Sequence, residues 1–244
     1  MCGRFVQARP SHELATVLDA VIQDNVHLPG ARFNIAPSAT ITILNERNEQ
    51  RILGSSIWGL IPSWAKDPSI GQKLSNARSE TVWEKPSFRS SIRSSRVVVP
   101  VDGFYEWSPA RKDGPRGSSG RPLKEPHYFS RQDGETMLLA GISARWQNPL
   151  DPTDERSTVC LLTTSANATM APIHHRMPVI LQVDDVEHWL TASKEDSEDE
   201  LTELLRPCPD DVLHERIVST EVNNARNEGE HLLNAIDDTP STLF

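Results

Sequence analysis

The spacing of apolar residues near the start of the chain predicts one helix followed by a β-hairpin. Ser11 is placed as the N-cap of the helix, because a serine hydroxyl can accept a hydrogen bond from a first-turn amide. The apolar residues that follow it at helical spacing are Leu14, Val17, Leu18, Val21 and Ile22. Pro29 and Gly30 end this helix. Residues 40–44 and 51–58 are the two predicted strands of the hairpin.

Short strands and short helices are predicted to alternate along the rest of the chain. Helices are expected at about 76–84 and 87–93, and a strand pair or one bent strand at 97–107. Further strands are predicted at 127–130, 136–142, 157–164, 177–183 and 215–220, and further helices at 184–191 and 199–206. This mixture predicts an α+β fold with a central antiparallel, barrel-like β-sheet flanked by short helices.

The organisation predicted from these elements is a single domain over residues 1–234. Residues 108–126 are rich in Gly, Pro, Ser and basic residues, and they are expected to form a loop inside the domain because strands resume directly after them. Residues 192–200 are expected to form a solvated loop. Residues 235–244 are expected to form a disordered C-terminal tail.

The composition is that of a soluble globular protein, with 37% hydrophobic and 24% charged residues among 244. No apolar run approaches the roughly 18 residues of a membrane-spanning helix, so no membrane partner is expected. The first residues, MCGRFVQARP, lack the apolar stretch of a secretory signal, which predicts a cytoplasmic protein, associated with the nucleoid if the source is bacterial. Cys2, Cys160 and Cys208 match neither a disulfide framework nor a zinc site.

The net charge of −9 argues against a nucleic-acid partner, but the distribution of charge changes that picture. Residues 1–122 carry 16 basic and 11 acidic side chains, a net of +5, whereas residues 123–244 carry 9 and 23, a net of −14. The basic residues concentrate between Lys73 and Arg96. Because phosphate binding depends on a local basic surface, this segment is a candidate DNA contact or an ordinary solvated face.

The second residue, Cys2, carries the most informative candidate chemistry. Removal of Met1 would leave a free α-amine and a thiol on one residue, and both are nucleophiles near neutral pH. The amine of such an aminothiol attacks an aldehyde to give a Schiff base, and the thiol then closes a five-membered thiazolidine. Open-chain abasic DNA presents such an aldehyde. Taken alone, an incidental cysteine remains the alternative.

Three further clusters hold residues that suit proton transfer or anion binding. Glu106 lies in the apolar segment GFYEW and is a candidate general acid or base, or a sheet-edge carboxylate paired with an arginine. His174 and His175 precede an apolar strand and point to opposite sides if the segment is extended, so at most one of them faces the site, and ordinary polar contacts are the alternative. Asn76 and Arg78 are placed at the start of a helix, whose N-terminus favours anions or needs a cap.

Six motifs occur in one order along the chain. They are MCGRF (1–5), FNIAP (33–37), WGLIPSW (58–64), NARSET (76–81), GFYEW (103–107) and HHRMPVI (174–180). With these motifs the chain resembles the SOS-response-associated peptidase family, also described as abasic-site processing proteins. The resemblance extends from residue 2 to about residue 227 and implies one α+β domain with a barrel-like sheet.

The resemblance also implies a role for individual residues. Cys2 matches the crosslinking residue, Asn76 the asparagine that orients the sugar and amine, Glu106 the acid/base carboxylate and His174 the family histidine. Residues that match the phosphate-holding arginines are Arg4, Arg78 and Arg176, and those that match apolar positions near the bound strand are Pro37, Trp64 and Trp107. The implied partner is single-stranded DNA that contains abasic sites, and no metal or organic cofactor is needed.

Three functions follow from these residues. The first is covalent capture of abasic sites as a thiazolidine after Met1 removal, with slow lyase activity as a side reaction. The second is a cysteine peptidase that acts mainly on its own N-terminus, with Cys2 as nucleophile and His174 or Glu106 as base. The third is a noncovalent single-strand-binding module. The acidic region at 184–211 is either a face turned away from DNA or a docking surface for the replication machinery.

Overall fold

The computed structural model describes residues 2–24, 26–110, 116–117, 119–192 and 198–236, which form an α+β fold with two β-sheets. The first seven strands are β1 Arg4–Gln7, β2 Val21–Ile22, β3 Arg32–Ile35, β4 Thr40–Arg47, β5 Gln50–Trp58, β6 Asn76–Arg78 and β7 Arg96–Val101. The other seven are β8 Gly103–Ser108, β9 Glu125–Arg131, β10 Met137–Asn148, β11 Asp151–Ser165, β12 Arg176–Pro178, β13 Ile180–Leu181 and β14 Leu213–Ile217. The predicted fold class is confirmed.

The larger of the two sheets has nine strands. Five of them close into a ring, called the barrel below. Strands β11, β10, β7 and β4 follow one another in antiparallel pairs, and β4 pairs with β5 in the predicted hairpin. Its two-residue turn, Asn48 and Glu49, has φ of 52° and 62°, the backbone that matches strand twist in a tight hairpin. The ring closes where β5 runs parallel to β11, with Trp58 opposite Val159.

The second sheet has five antiparallel strands in the order β14-β9-β8-β1-β3 and is called the small sheet below. Strands β7 and β8 follow each other directly in sequence but belong to different sheets. The chain therefore turns a corner at Asp102, whose Oδ2 accepts hydrogen bonds from the backbone nitrogens of Ala8 (2.6 Å) and Arg9 (3.1 Å). This corner ties β1, which starts the chain, to the strand that carries Glu106.

Alternating residues of the barrel strands pack into two apolar clusters, one on each face of the barrel wall. Val97 and Val99 of β7 pack in a cluster shared with the small sheet, where the rings of Phe104 and Phe129 stack at 5.1 Å. Val98 points into the other cluster, which the helices cover. Since both faces of the barrel wall are buried, β7 has no polar residue between its ends, as expected of a central strand.

The helices are short and lie outside the sheets. They are α1 Ser11–Val17, α2 Arg89–Ser94, α3 Asp185–Thr191 and α4 Glu198–Glu203, with 3-10 turns at Pro68–Lys73, Ser79–Thr81, Asp210–Val212, Thr220–Asn223 and Glu230–Leu233. The predicted N-cap is wrong, because Pro10 occupies that position and makes no side-chain cap. The first predicted helix also ends early, since Val21 and Ile22 pair with β5.

Some predicted loops fall partly outside the described residues. Positions 111–115 and 118 of the predicted connector, 193–197 of the predicted acidic loop and 237–244 of the predicted tail are not described. Within the described part of that tail, Ala235 forms a β-bridge with Val218. The backbone nitrogen of Ile236 donates to the oxygen of Ile217 at 3.1 Å.

Candidate functional site

Cys2 lies just before β1, the strand between β3 and β8, and its side chain is fully buried. It packs in the apolar cluster that contains Phe5 and Trp58. Burial, reinforced by the negative charge of Glu106, raises the pKa of the Cys2 thiol to about 12. The thiol is therefore protonated near neutral pH in this arrangement.

Asn76 holds the backbone of Cys2 in place. Its Nδ2 donates a hydrogen bond to the Cys2 carbonyl oxygen at 2.9 Å, and its Oδ1 is buried without a hydrogen-bond donor.

The predicted helix at 76–84 is wrong, because Asn76–Arg78 forms β6, which runs parallel to β11 with Asn76 opposite Leu161. The anion site at a helix N-terminus therefore does not exist here. The preceding carbonyl, of Ser75, accepts hydrogen bonds from Trp58 Nε1 (2.9 Å) and the Leu161 amide (3.0 Å).

Glu106 approaches the same point from β8. It is only 6% exposed and follows Tyr105, which pairs with Arg4 across the β1–β8 ladder. Its charge acts on the ionisation of both Cys2 and His174, which places the three groups near one another.

His174 lies in the turn before β12 and is half buried. Its Nδ1 lies 3.0 Å from both the backbone nitrogen and the backbone oxygen of Arg176. Burial lowers the pKa of His174, and the nearby Glu106 carboxylate partly opposes this. The expectation that the two adjacent histidines point apart is wrong. The rings of His174 and His175 stack at 4.5 Å because the segment is a turn and not an extended strand.

Four separate parts of the chain thus bring the four predicted catalytic side chains together. Cys2 comes from the segment just before β1, Asn76 from β6, Glu106 from β8 and His174 from the turn before β12. Residues far apart in sequence meet here because the barrel and the small sheet share one apolar cluster. The arrangement places the Cys2 thiol near a carboxyl, an imidazole and an amide.

Two of the predicted DNA-binding residues already have partners within the protein. Arg4 donates to Asn34 Oδ1 at 2.7 Å and to the Val222 carbonyl at 2.9 Å, and its guanidinium lies 5.7 Å from the Trp107 ring centre. Trp107 Nε1 donates to Asn223 Oδ1 at 2.5 Å. Both residues therefore help to hold the C-terminal segment against the start of the chain, and contact with DNA remains a prediction for them.

Arg176 is also engaged internally. Its guanidinium donates to both carboxylate oxygens of Glu80 and, at 2.6 Å, to the Thr163 carbonyl. The Arg176 side chain is 9% exposed, whereas that of Glu80 is 52% exposed. Arg176 thus links the NARSET segment to the segment of His174, so a phosphate could reach its guanidinium only in competition with Glu80.

The remaining predicted contact residues are more accessible. Arg78 is exposed, Pro37 is half buried, and Trp64 is 58% exposed with Nε1 3.4 Å from the Pro86 carbonyl. In the basic segment, Lys73, Lys85 and Arg89 are exposed as well. These side chains form the part of the predicted DNA surface that is open to solvent.

The rest of the basic segment serves the fold. Arg96 is buried and donates to the carbonyls of Trp189 (2.7 Å) and Ile92 (2.9 Å). Arg93 pairs with Glu198 of α4, so part of the acidic region packs directly against the basic segment.

Sequence reasoning missed two groups of residues at the site. Asn34 Nδ2 contacts the carbonyls of Val222 (3.3 Å), Asn224 (3.0 Å) and Asn227 (2.9 Å), which fixes the C-terminal segment over Arg4. The motif FNIAP contains Asn34, but its partners are distant in sequence. The second is His127, which lies opposite Glu106 on β9. A lone histidine in an apolar strand gave no signal.

Two further features bear on the class of protein. Nowhere in the described ranges do three or more His, Cys, Asp or Glu side chains gather closely enough to hold a metal ion. Every helix in the described part of the chain is too short or too polar to cross a lipid bilayer.

The family model of the SOS response associated peptidase (SRAP) matches residues 1–225, and the chain belongs to this family. "Abasic site processing protein YoqW" of Bacillus subtilis is 36% identical over 236 residues, covering 96% of this chain and 99% of the relative. "Abasic site processing protein YedK" of Escherichia coli is 28% identical over 241 residues, covering 97% and 100%. "Abasic site processing protein HMCES" of Gallus gallus is 34% identical over 209 residues, covering 78% and 59%.

Solved structures show the same fold. A crystal structure of a protein from Bacteroides thetaiotaomicron superposes with a TM-score of 0.81 at 24% identity, covering 96% of this chain and all of the other. One from Bordetella bronchiseptica gives 0.70 at 23% identity, covering 89% and 100%. The family resemblance drawn from the six motifs is confirmed.

Proposed function

We propose that this protein captures abasic sites in single-stranded DNA by forming a thiazolidine with Cys2 after Met1 is removed. The observation that carries the proposal is the position of Cys2, which Asn76 holds by its carbonyl at 2.9 Å beside Glu106. Membership of a family whose relatives are named abasic site processing proteins supports it.

The covalent steps need only groups that this chain supplies. Glu106 transfers a proton as the deoxyribose ring opens to its aldehyde form. The Cys2 amine attacks C1′, and loss of water gives a Schiff base. The Cys2 sulfur then adds to the imine carbon while the thiol proton passes to the nitrogen, which closes the thiazolidine. No oxidant, reductant or metal takes part in this balance.

Asn76 and His174 prepare these steps. The buried Oδ1 of Asn76 has no hydrogen-bond donor, so it can accept one from the freed amine of Cys2 or from the sugar. Because burial lowers the pKa of His174, its imidazole is neutral near pH 7 and can take up the proton released when the amine adds to C1′.

The raised thiol pKa separates this proposal from a general cysteine peptidase. A peptidase that acts through Cys2 needs a ready thiolate, whereas burial raises the pKa of this thiol to about 12. In thiazolidine formation the amine attacks first, and the sulfur then closes a ring within the same residue. Proteolysis is accordingly limited to removal of Met1, and lyase activity is a slow side reaction of the Schiff base.

The test mixes purified protein with a single-stranded oligonucleotide that carries one abasic site. We expect a heat-stable band on denaturing gels. Its intact mass should equal that of the protein without Met1 plus that of the oligonucleotide, minus one water. An oligonucleotide with a tetrahydrofuran in place of the sugar is the matched control, because it has no aldehyde.

Two variants separate the steps. Cys2→Ala is expected to form no heat-stable adduct, and full crosslinking by this variant would refute the proposal. Cys2→Ser keeps the amine without the sulfur, so it is expected to give an adduct that survives heating only after borohydride reduction. Absence of any adduct in the wild type despite loss of Met1 would favour peptidase activity or noncovalent binding. Turnover of an unrelated peptide that Cys2→Ala abolishes would identify the peptidase.

A further inference from the structure

Exposed apolar side chains gather where α1, β2 and the segment before α3 meet. Val17 at the end of α1 is 54% exposed, Val21 at the start of β2 is 39% exposed, and Val183, between β13 and α3, is 69% exposed. Single exposed valines are ordinary on a protein surface, but these three line two adjoining depressions. None of the predicted catalytic or DNA-binding residues lines either depression.

The first depression, called the valine cavity below, lies beside the start of β10. Its volume is about 280 Å³, and its apolar walls are Val17, Leu18, Leu138, Val183 and Val186. Thr136 also lines it, and the Thr136 Oγ1 is buried with no hydrogen-bond partner among the described residues. Because buried hydroxyls are normally paired, this one can bond a polar group of a bound molecule. The volume is below the usual range for a drug-sized ligand and suits a single apolar side chain.

The second depression, called the acidic cleft below, is wider and carries mostly negative charge. Its volume is about 870 Å³, and the carboxylates that line it are Asp19, Glu46, Glu49 and Glu187. Arg51 lines both depressions and lies 3.8 Å from Glu187, so its charge is already engaged. Asp19, Glu46 and Glu49 form no salt bridge with any described residue. The acidic cleft therefore offers three unpaired carboxylates directly beside an apolar cavity.

We infer that the valine cavity and the acidic cleft together bind an extended segment of a partner protein, which carries one large apolar side chain next to lysines or arginines. The apolar side chain fills the valine cavity, and a polar group beside it bonds the Thr136 hydroxyl. The basic side chains lie in the acidic cleft against Asp19, Glu46 and Glu49. In such a contact the buried anchor supplies most of the affinity, and the charges select the partner. The inference does not rest on the proposed function, because the two surfaces share no residue.

Charge argues against the other occupants of this surface. DNA and an anionic lipid surface carry phosphates, which the carboxylates of the acidic cleft repel. In a two-fold contact the same patch of each copy meets itself, so a second copy of this chain would place one acidic cleft against another. A basic segment with an apolar anchor meets neither repulsion.

Selection from random peptides tests the inference with the full wild-type chain as bait. Phage that display random peptides of about twelve residues are expected to yield sequences with one large apolar residue next to two or more Lys or Arg. Binding of a fluorescent enriched peptide is then followed by anisotropy. Val183→Asp, which places a charge at the valine cavity, is expected to weaken binding about 10-fold or more. Glu49→Lys, in the hairpin turn, is expected to weaken it about 3-fold at low salt and less at high salt.

Matched controls test the location of the site. Leu150→Asp changes an exposed apolar side chain outside both depressions, and Glu230→Lys repeats the charge change of Glu49→Lys elsewhere on the surface. Neither is expected to alter the affinity, and thermal unfolding checks that every variant is folded. Failure to enrich any peptide, enrichment of acidic peptides, or equal binding by the wild type and all variants would overturn the inference. A wild-type dimer in sedimentation that Val183→Asp makes monomeric would also overturn it, because a second copy would then be the occupant.

Discussion

At the scale of single residues, burial decides which form of each side chain is present. The thiol of Cys2 and the imidazole of His174 both lose contact with water, and both are held in their neutral forms. The neutral forms of these two groups fit the proposed order of steps, in which the amine of Cys2 reacts first and protons then move within the site.

A first prediction concerns the reactivity of the Cys2 thiol. In a chain that keeps Met1 behind an added N-terminal extension, iodoacetamide at pH 8 is expected to label Cys2 at least about 100-fold more slowly than in urea. The reason is that a thiol with a pKa of about 12 has very little thiolate, and the thiolate is the nucleophile. Mass spectrometry of the N-terminal peptide measures the rate, and equal rates in the two conditions would contradict the prediction.

A second prediction concerns His174 and the pH dependence of stability. Burial lowers the pKa of the folded imidazole below the unfolded value of about 6.5, so the unfolded chain binds more protons in that range. Stability is therefore expected to fall as pH drops below about 6.5, and His174→Gln loses this component. Thermal unfolding between pH 7.5 and 5.5 measures it, with the exposed His12→Gln as the matched control. Parallel curves for the wild type and His174→Gln would count against it.

At the scale of elements, the site depends on close contact between β8 and β9. Gly103 begins β8, and a Cβ at this position would lie 2.4 Å from both the Phe129 oxygen and the Tyr128 ring. Only glycine allows the two strands to approach this closely, and the same pairing brings His127 opposite Glu106.

A third prediction follows for Gly103→Ala. The added methyl group is expected to lower the free energy of unfolding by about 1–3 kcal/mol, because the strands must separate or shift. Crosslinking is expected to slow as well, since Glu106 lies on the displaced strand. Urea unfolding and single-turnover gels measure the two effects. Gly30→Ala is the matched control, because a Cβ there meets nothing within 4 Å. A Gly103→Ala protein as stable and active as the wild type would show that the contact is not tight.

Local patterns predicted most elements but not those that depend on distant partners. The hairpin of β4 and β5 was predictable because alternating residues and a short turn are local signals. The residues at 76–78 were predicted as a helix because their partner, β11, is more than eighty residues away and only pairing with it makes them a strand. Val21 and Ile22 fit helical spacing equally well, yet they pair with β5.

The residues of the candidate site were likewise predictable from local motifs, whereas their contacts with distant residues were not. Motifs located Cys2, Asn76, Glu106 and His174, and the structure brings them together. No motif indicated that Arg176 would form a salt bridge with Glu80. The two residues belong to different motifs that are far apart in sequence, so no local pattern relates them. The roles of these residues in binding and chemistry stay predictions.

At the scale of the whole molecule, charge is divided unevenly. The first half carries a net of +5 and the second a net of −14, and several basic side chains of the first half, among them Arg78, Lys85 and Arg89, are exposed. Salt bridges such as Arg93–Glu198 place part of the acidic region beside the basic one. We therefore expect DNA binding to rely on a small set of exposed cations.

A fourth prediction concerns salt. Binding of undamaged single-stranded DNA is expected to weaken between about 50 and 200 mM salt, and Arg78→Gln is expected to reduce the slope of log K against log salt by about 0.7, the value for one phosphate contact. Fluorescence anisotropy measures the slope. Arg206→Gln, which changes an exposed arginine beside Asp185, is the matched control. Equal slopes for Arg78→Gln and the wild type would remove Arg78 from the DNA surface.

The hydrogen bonds from Arg4 and Asn34 to the carbonyl of Val222 have a consequence for biosynthesis. Cys2 is translated long before the segment around Val222 that closes over its strand. Glu106 and His174 are also translated after Cys2. The four predicted catalytic residues and this closing segment are therefore all available for folding only after Val222 has been translated. We accordingly expect the proposed capture of abasic sites only from a chain that has folded through Val222.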